Sequence, residues 1–155
     1  ADIMLSEALV GSLEDVNPKT GKNYSTGAKY EHAVEFLLEN FSTHSFVTQK
    51  VIGYQRNGSK HRPDIILNGN EIVSLKYQSV NGTAETKILH ECMVLNHAIE
   101  DSDVITKATI ILAGNKWTWR DYYLSETFHK KEIPHYPGVR VISHQQFVNE
   151  YLITE

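Results

Sequence analysis

The stretch that decides the fold covers residues 63–78 and reads Pro63-Asp64-Ile65-Ile66-Leu67-Asn68-Gly69-Asn70-Glu71-Ile72-Val73-Ser74-Leu75-Lys76-Tyr77-Gln78. Two runs rich in β-branched and apolar residues flank an Asn-Gly turn signal, which predicts an antiparallel hairpin. In the second run Ser74, Lys76 and Gln78 alternate with apolar residues. Because successive side chains of a strand point to opposite faces, these polar side chains are expected to share one face.

The segments on either side of the hairpin predict a mixed α/β protein. Apolar residues recur at helical spacing over residues 26–41 and again over 84–100, which predicts an amphipathic helix in each segment. Residues 45–55 and 104–113 have the composition of strands. The resulting order is helix, strand, strand, strand, helix, strand. It predicts an α/β or α+β fold in which helices flank a mixed central sheet.

The C-terminal part reads as an accessory to this core. The aromatic segment 117–128 predicts a short helix, residues 139–142 a short strand, and residues 143–152 a closing helix that Ser143 caps. With 155 residues the chain has the size of one domain. We expect that domain to span residues 1–155, with its core at about 26–113 and the accessory at about 114–155.

Composition narrows the class of protein further. Hydrophobic residues at 41% and charged residues at 22% are ordinary globular values, which excludes a disordered or collagenous chain. The single cysteine, Cys92, excludes an intrachain disulfide, and its place on an apolar helical stripe predicts a core residue. The sequence shows no secretory leader and no apolar run of about 20 residues, so we expect a cytoplasmic protein without a membrane partner.

The net charge of −4 bears on nucleic-acid binding. A protein that binds nucleic acid by bulk electrostatics is usually basic, so the charge disfavours non-specific DNA binding. The net charge is still compatible with a site that concentrates carboxylates around metal ions while basic residues lie elsewhere on the surface.

The hairpin also carries the residues most suited to catalysis. Asp64 lies on one arm and Lys76 and Gln78 on the other, so a carboxylate, an ammonium and an amide can converge near one point. A carboxylate supplies the hard oxygen that Mg²⁺ prefers, and a nearby lysine can orient water and stabilise charge on a phosphate oxygen. The alternative is a solvated strand face on which Asp64 and Lys76 form a surface ion pair.

The Pro63-Asp64 pair, the Ser74-Leu75-Lys76 triplet and the order of the elements over residues 26–113 together resemble the PD-(D/E)XK nuclease superfamily, whose fold is the restriction-endonuclease-like fold. The resemblance implies that Asp64 binds metal and that Lys76 is catalytic. It places the glutamate that often completes the metal site from the first helix at Glu31, with Glu35, one turn on, as the weaker candidate.

The sequence departs from the family at Ser74, where the family usually has an acid. This change removes a carboxylate ligand and puts either the activity or the way the metal is held in doubt. Gln78, which shares the face of Lys76, and Glu85, at the start of the next helix, are the candidates to compensate. The run Ser74-Leu75-Lys76-Tyr77-Gln78 is similar to a subgroup of the superfamily found among restriction enzymes.

The resemblance implies an endonuclease that uses Mg²⁺, or Mn²⁺ in its place, to hydrolyse phosphodiester bonds of double-stranded DNA, most simply a sequence-specific restriction enzyme. Asp64, Lys76, Gln78 and Glu31 would be catalytic, and Asp64, Glu31 and Glu85 would hold metal. A domain of this size reads few base pairs, so a homodimer or higher homo-oligomer is expected. Loops that carry polar residues suited to DNA contacts contribute Lys19, Lys22, Ser79, Asn81 and Thr83.

Three other functions stay open at this point. Ser74 can mark a nuclease-like DNA-binding or assembly module that has lost cleavage. The same fold hosts homing and structure-selective endonucleases, and fold does not choose between them. An RNA-directed nuclease is the weakest of the alternatives.

Overall fold

The computed structural model of this protein describes residues 26–78 and 84–153. Its helices are α1 (Thr26–Phe41), α2 (Ile88–Glu100), α3 (Arg120–Tyr123), α4 (Glu126–Lys131) and α5 (His144–Tyr151), with 3₁₀ turns at Ala84–Lys87 and Ile133–His135. Its strands are β1 (Phe46–Thr48), β2 (Gly53–Tyr54), β3 (Lys60–His61), β4 (Ile65–Leu67), β5 (Glu71–Tyr77), β6 (Lys107–Ala113) and β7 (Val139–Ser143). The predicted DNA contacts Lys19, Lys22, Ser79, Asn81 and Thr83 lie outside the described residues.

The strands form a mixed sheet, which confirms the predicted mixed α/β class. Five strands pair in the order β1-β4-β5-β6-β7, and β2 and β3 form a separate two-stranded sheet. β4 is antiparallel to both of its neighbours, whereas β5, β6 and β7 run parallel to one another. The change from antiparallel to parallel pairing therefore falls at β5, the strand that carries Ser74 and Lys76.

The predicted hairpin is the β4–β5 pair. Ile65 lies opposite Val73 and Leu67 opposite Glu71. Between the strands Asn68 has a φ of 53° and Gly69 a φ of 77°. Asn and Gly adopt positive φ more readily than other residues, so the local sequence selects this turn and fixes the register.

One core lies between the sheet and α2. Ile88, Cys92 and Leu95 form the stripe of α2 that is fully buried. They belong to a cluster that also contains Ile66, Ile72, Ile105, Ala108, Ile110, Leu112, Tyr123, Phe128, Val139 and Val141. Burial raises the pKa of the Cys92 thiol to about 12. Cys92 is thus the core residue that its place on the stripe predicts.

Three local features differ from the sequence-based expectation. Residues 45–55 form two strands in separate sheets rather than one, because Gln49 takes a φ of 54° just after β1. Segment 117–128 contains two short helices, and the Ser125 hydroxyl begins the second by accepting from the Phe128 N–H at 3.1 Å. β7, expected in an accessory, pairs with β6 as the fifth strand of the main sheet.

The chain divides into two compact units, Ala1–His44 with His144–Glu155, and Ser45–Ser143. In the first unit the buried Tyr30 hydroxyl and the Nδ1 atom of His144 are 2.7 Å apart, so a hydrogen bond joins α1 to α5. The second unit contains both sheets together with α2, α3 and α4. Among the residues described, no helix has the length and hydropathy to cross a bilayer.

Candidate active-site cleft

The second unit contains a polar cleft of about 330 Å³ beside the hairpin. One side is the segment that runs through β3 into β4, the floor is β5, and the opposite side is α2. Its polar and charged lining residues are Gln55, Lys60, His61, Arg62, Asp64, Ser74, Lys76, His90 and Glu91. Asp64 and Lys76, which the sequence predicts to converge, therefore lie in the same cleft.

Asp64 is held against β5 by the backbone. It comes directly before β4, and its Oδ2 atom accepts a hydrogen bond from the Leu75 N–H at 2.8 Å. Leu75 lies between Ser74 and Lys76, so this contact places the carboxylate beside the polar face of β5. The preceding Pro63 is buried, and a proline restricts the residue before it to extended conformations. The chain therefore enters the cleft in a defined direction.

The residue that sequence reasoning missed is Glu91, on α2. The Ser74 hydroxyl donates to its Oε1 atom at 3.3 Å, and the Lys76 ammonium lies 3.4 Å from its Oε2 atom. These contacts confirm that Ser74 and Lys76 share one face of β5. They also bring a carboxylate to the side chain of Ser74, the position where the resemblance leaves a carboxylate missing.

The sequence contains a signal for this placement. Glu91 follows Ile88 by three residues and precedes Leu95 by four, and both of those side chains are fully buried. Residues with these spacings lie on one side of a helix, so a carboxylate at position 91 borders the buried stripe and points toward the sheet. Neither the motif nor the order of elements draws attention to it, because the family motif places its acid on the strand.

Gln78 connects β5 to the loop that follows β6. Its side-chain amide donates to the Lys116 carbonyl at 2.7 Å, and its backbone N–H donates to the Ala113 carbonyl at 3.0 Å. A side chain at Gly114 would place its Cβ 2.3 Å from the Gln78 carbonyl oxygen, which explains the glycine there. Gln78 does not line the cleft, so its predicted part in the same site stays a prediction.

Glu85 holds the segment that leads into α3. Its carboxylate accepts from the Thr118 N–H at 2.7 Å, from the Thr118 hydroxyl and from the Trp119 N–H at 3.4 Å. These hydrogen bonds, that from the Thr118 hydroxyl above all, lower the pKa of Glu85. Glu85 does not line the cleft either, and its predicted role as a metal ligand stays a prediction.

Replacing Glu85 by glutamine is expected to lower the melting temperature at pH 7, because the donors of Thr118 and Trp119 lose a charged acceptor. The pKa of Glu85 in the folded protein lies below its usual value of 4.5. The stabilisation is therefore fully present above about pH 4.5, and it is lost as the pH falls through the folded-state pKa of Glu85. Melting curves of the two proteins should therefore converge in acid. Glu126→Gln, on the exposed face of α4, is the control. An equal difference in melting temperature between the wild type and Glu85→Gln at every pH would contradict the assignment.

Glu31 and Glu35 lie on α1, which belongs to the first unit. Burial raises the pKa of Glu35, and the Nδ1 atom of His32 lies 3.8 Å from its carboxylate. The predicted role of Glu31 or Glu35 as the helical metal ligand stays a prediction.

Asp64 and Glu91 are the residues of the cleft that could hold a divalent metal ion. Over residues 26–78 and 84–153, no cluster of three or more His, Cys, Asp and Glu side chains could hold a metal ion. Zn²⁺ sites in proteins usually have three or four such ligands, whereas Mg²⁺ is commonly held by one or two carboxylates and completes its shell with water and substrate oxygens. Asp64 and Glu91 supply two carboxylates on one polar cleft.

His61 adds an imidazole to the cleft wall. Only 8% of the residue is exposed, and this burial lowers its pKa although Glu91 acts in the opposite direction. Burial thus favours the neutral form of the His61 imidazole over the charged form.

Family models, curated proteins and solved structures show no match to this chain. The resemblance to the PD-(D/E)XK superfamily rests on the motif and on the order of the elements.

Proposed function

We propose that this protein is a divalent-metal-dependent endonuclease that hydrolyses phosphodiester bonds of double-stranded DNA, with a restriction-endonuclease-like fold. The observation that carries the proposal is the meeting of Asp64, Lys76 and Glu91 in one polar cleft. Two carboxylates that can hold a divalent ion, with a lysine beside them, are groups suited to metal-assisted hydrolysis of a phosphodiester.

Asp64 and Glu91 are the residues that would hold the metal ion. A divalent ion held there would lower the pKa of the attacking water and neutralise charge on the phosphate. The Leu75 N–H fixes one oxygen of Asp64, and the Ser74 hydroxyl fixes one oxygen of Glu91. Both carboxylates are thus oriented before a substrate arrives, which lowers the cost of organising the site.

Lys76 would act on the reacting groups. Its side chain is 27% exposed and lines the cleft, and its ammonium lies 3.4 Å from the Oε2 atom of Glu91. From there it can donate a hydrogen bond to the attacking water or to a phosphate oxygen. Water would attack phosphorus in line, the bond to the leaving sugar oxygen would break, and that oxygen would take up a proton. Cutting both strands of a duplex requires a second site, so we propose a homodimer.

A nuclease-like module that binds DNA without cutting it is the second candidate. One observation favours it: both oxygens of Glu91 already have partners within the protein, the Ser74 hydroxyl and the Lys76 ammonium. The ion pair with Lys76 reduces the negative charge that Glu91 can offer a metal ion. The two candidates differ in whether the cleft binds a divalent ion.

The test is incubation of the protein with long mixed-sequence duplex DNA and Mg²⁺, beside Lys76→Ala and an EDTA lane. Lys131→Ala, which removes an exposed lysine from the end of α4, is the matched control. Discrete bands that vanish with EDTA and Lys76→Ala, but not with Lys131→Ala, support a sequence-specific nuclease. A smear with the same dependence supports non-specific or structure-selective cutting. Intact DNA from folded protein in every lane overturns the proposal in favour of the binding module.

A further inference from the structure

The segment Lys60-His61-Arg62 forms one rim of the cleft and places two cations at its mouth. His61 is buried, whereas its neighbours Lys60 and Arg62 are exposed, and all three line the cleft. Lys60 and His61 form β3, and Pro63 restricts Arg62 to an extended conformation. Side chains alternate in an extended chain, so the imidazole points inward while the two cations share the outer side.

Both cations are available to a ligand. Within the described parts of the chain, the side chains of Lys60 and Arg62 form no ion pair and no hydrogen bond. By contrast, the third cation of the cleft, Lys76, is paired with Glu91. An anion that approaches the cleft is therefore repelled by Asp64 and Glu91 on its two sides and attracted by Lys60 and Arg62 at its rim.

The β2–β3 hairpin that carries this rim is anchored to the end of α2. The Arg56 guanidinium donates to both carboxylate oxygens of Asp101, at 3.1 and 3.0 Å, and to Glu100 at 2.9 Å. The fork of two parallel hydrogen bonds restrains direction as well as distance. Arg56 is engaged in this anchor, which ties the hairpin to the end of α2. Over residues 26–78 and 84–153, the neighbouring cations Lys60 and Arg62 have no side-chain partner.

We propose that Lys60 and Arg62 form a phosphate-binding rim that holds the sugar-phosphate backbone of one strand of duplex DNA across the mouth of the cleft. This inference rests on the proposed function and adds to it the element that positions the substrate. Two cations on alternate residues of an extended chain lie about 7 Å apart, a separation that suits neighbouring phosphates of one strand. The chain has a net charge of −4, so local cations of this kind must supply the attraction.

The experiment measures how DNA binding depends on salt. All proteins carry Asp64→Asn, so that the proposed cleavage cannot consume the probe, a fluorescent mixed-sequence 20-base-pair duplex in Mg²⁺. Lys60→Ala/Arg62→Ala is compared with Lys130→Ala/Lys131→Ala, which removes the same charge from α4. The rim variant should reduce the slope of log K against log salt by about 2 and weaken binding about 10- to 100-fold, whereas the α4 variant should change neither.

Unchanged melting temperatures confirm that both variants fold, as the exposure of the two side chains predicts. Arg62→Lys should keep the slope, because the charge stays. A slope that is unchanged in the rim variant, or that falls equally in the α4 variant, overturns the rim. A loss seen with single-stranded RNA but not with the duplex overturns the choice of duplex DNA. Rim-dependent binding by a protein that fails the cleavage test supports the rim and overturns hydrolysis, which separates the two proposals.

Discussion

Replacing Asp64 by asparagine is expected to lower the rate of Mg²⁺-dependent DNA cleavage by about three orders of magnitude. The asparagine oxygen can still accept from the Leu75 N–H, so the local structure is expected to persist. What is lost is the negative charge that would hold the metal ion. Metal-ion stabilisation of a developing phosphate charge contributes several kcal/mol, and about 4 kcal/mol corresponds to this factor in rate. Single-turnover cleavage of a defined duplex measures it directly.

Asp103→Asn is the matched control for this substitution. Asp103 is exposed and does not line the cleft, so its replacement removes the same charge from another surface. The rate of the Asp103→Asn protein should equal that of the wild type within about twofold. Equal losses in the two variants would show that net charge, rather than the cleft, controls cleavage.

Replacing Glu91 by glutamine is expected to lower the cleavage rate about 100-fold. The amide can keep contacts to Ser74 and Lys76, but it carries no charge for a metal ion. A factor of 100 corresponds to about 2.7 kcal/mol, which is less than for Asp64 because Glu91 already shares its charge with Lys76. Raising the Mg²⁺ concentration should restore part of the rate, since the main defect is in metal affinity.

A second substitution separates metal binding from simple support of Lys76. Ser74→Asp, introduced together with Glu91→Gln, returns a carboxylate to the same side of the cleft on the strand itself. It should recover part of the lost rate, whereas Ser74→Asn on the same background should not. Equal rates for these two double variants would argue that Glu91 serves only to orient Lys76.

The hairpin and the main helices follow from local sequence. Asn68 and Gly69 specify a turn with positive φ, which lets the apolar runs on either side of it pair as β4 and β5. α1 ends at Phe41, where its apolar spacing ends. Such features depend on residues a few positions apart, and their physical causes are visible in the chain itself.

Features that depend on distant partners could not be predicted in this way. The sequence of β7 is compatible with an accessory strand, and only its pairing with β6 makes it part of the main sheet. Gln49 ends β1 by adopting a left-handed conformation that its residue type does not favour. β2 and β3 have two residues each, too few to show a period of two.

The candidate site likewise contains residues that local sequence predicts and residues whose contacts depend on distant parts of the chain. Asp64 directly precedes β4, and Ser74 and Lys76 lie on the adjacent strand β5 of the same hairpin, so local sequence brings the three together. Glu91 reaches them from α2, and this contact depends on how the helix packs on the sheet. Gln78 and Glu85 are the residues that the sequence suggests could compensate for Ser74. In the structure, backbone groups after β6 engage both of them. Residue type and spacing do not distinguish these outcomes.

The most direct test of the cleft is the binding of Mn²⁺, measured by isothermal titration calorimetry on the wild type, Asp64→Asn, Glu91→Gln and the control Asp103→Asn. If Asp64 and Glu91 hold the ion, the first two variants bind Mn²⁺ at least about tenfold more weakly than the wild type, and the control binds it equally well. Equal affinities in all four proteins, or no binding to folded wild type, would contradict the assignment of a metal-dependent site to this cleft.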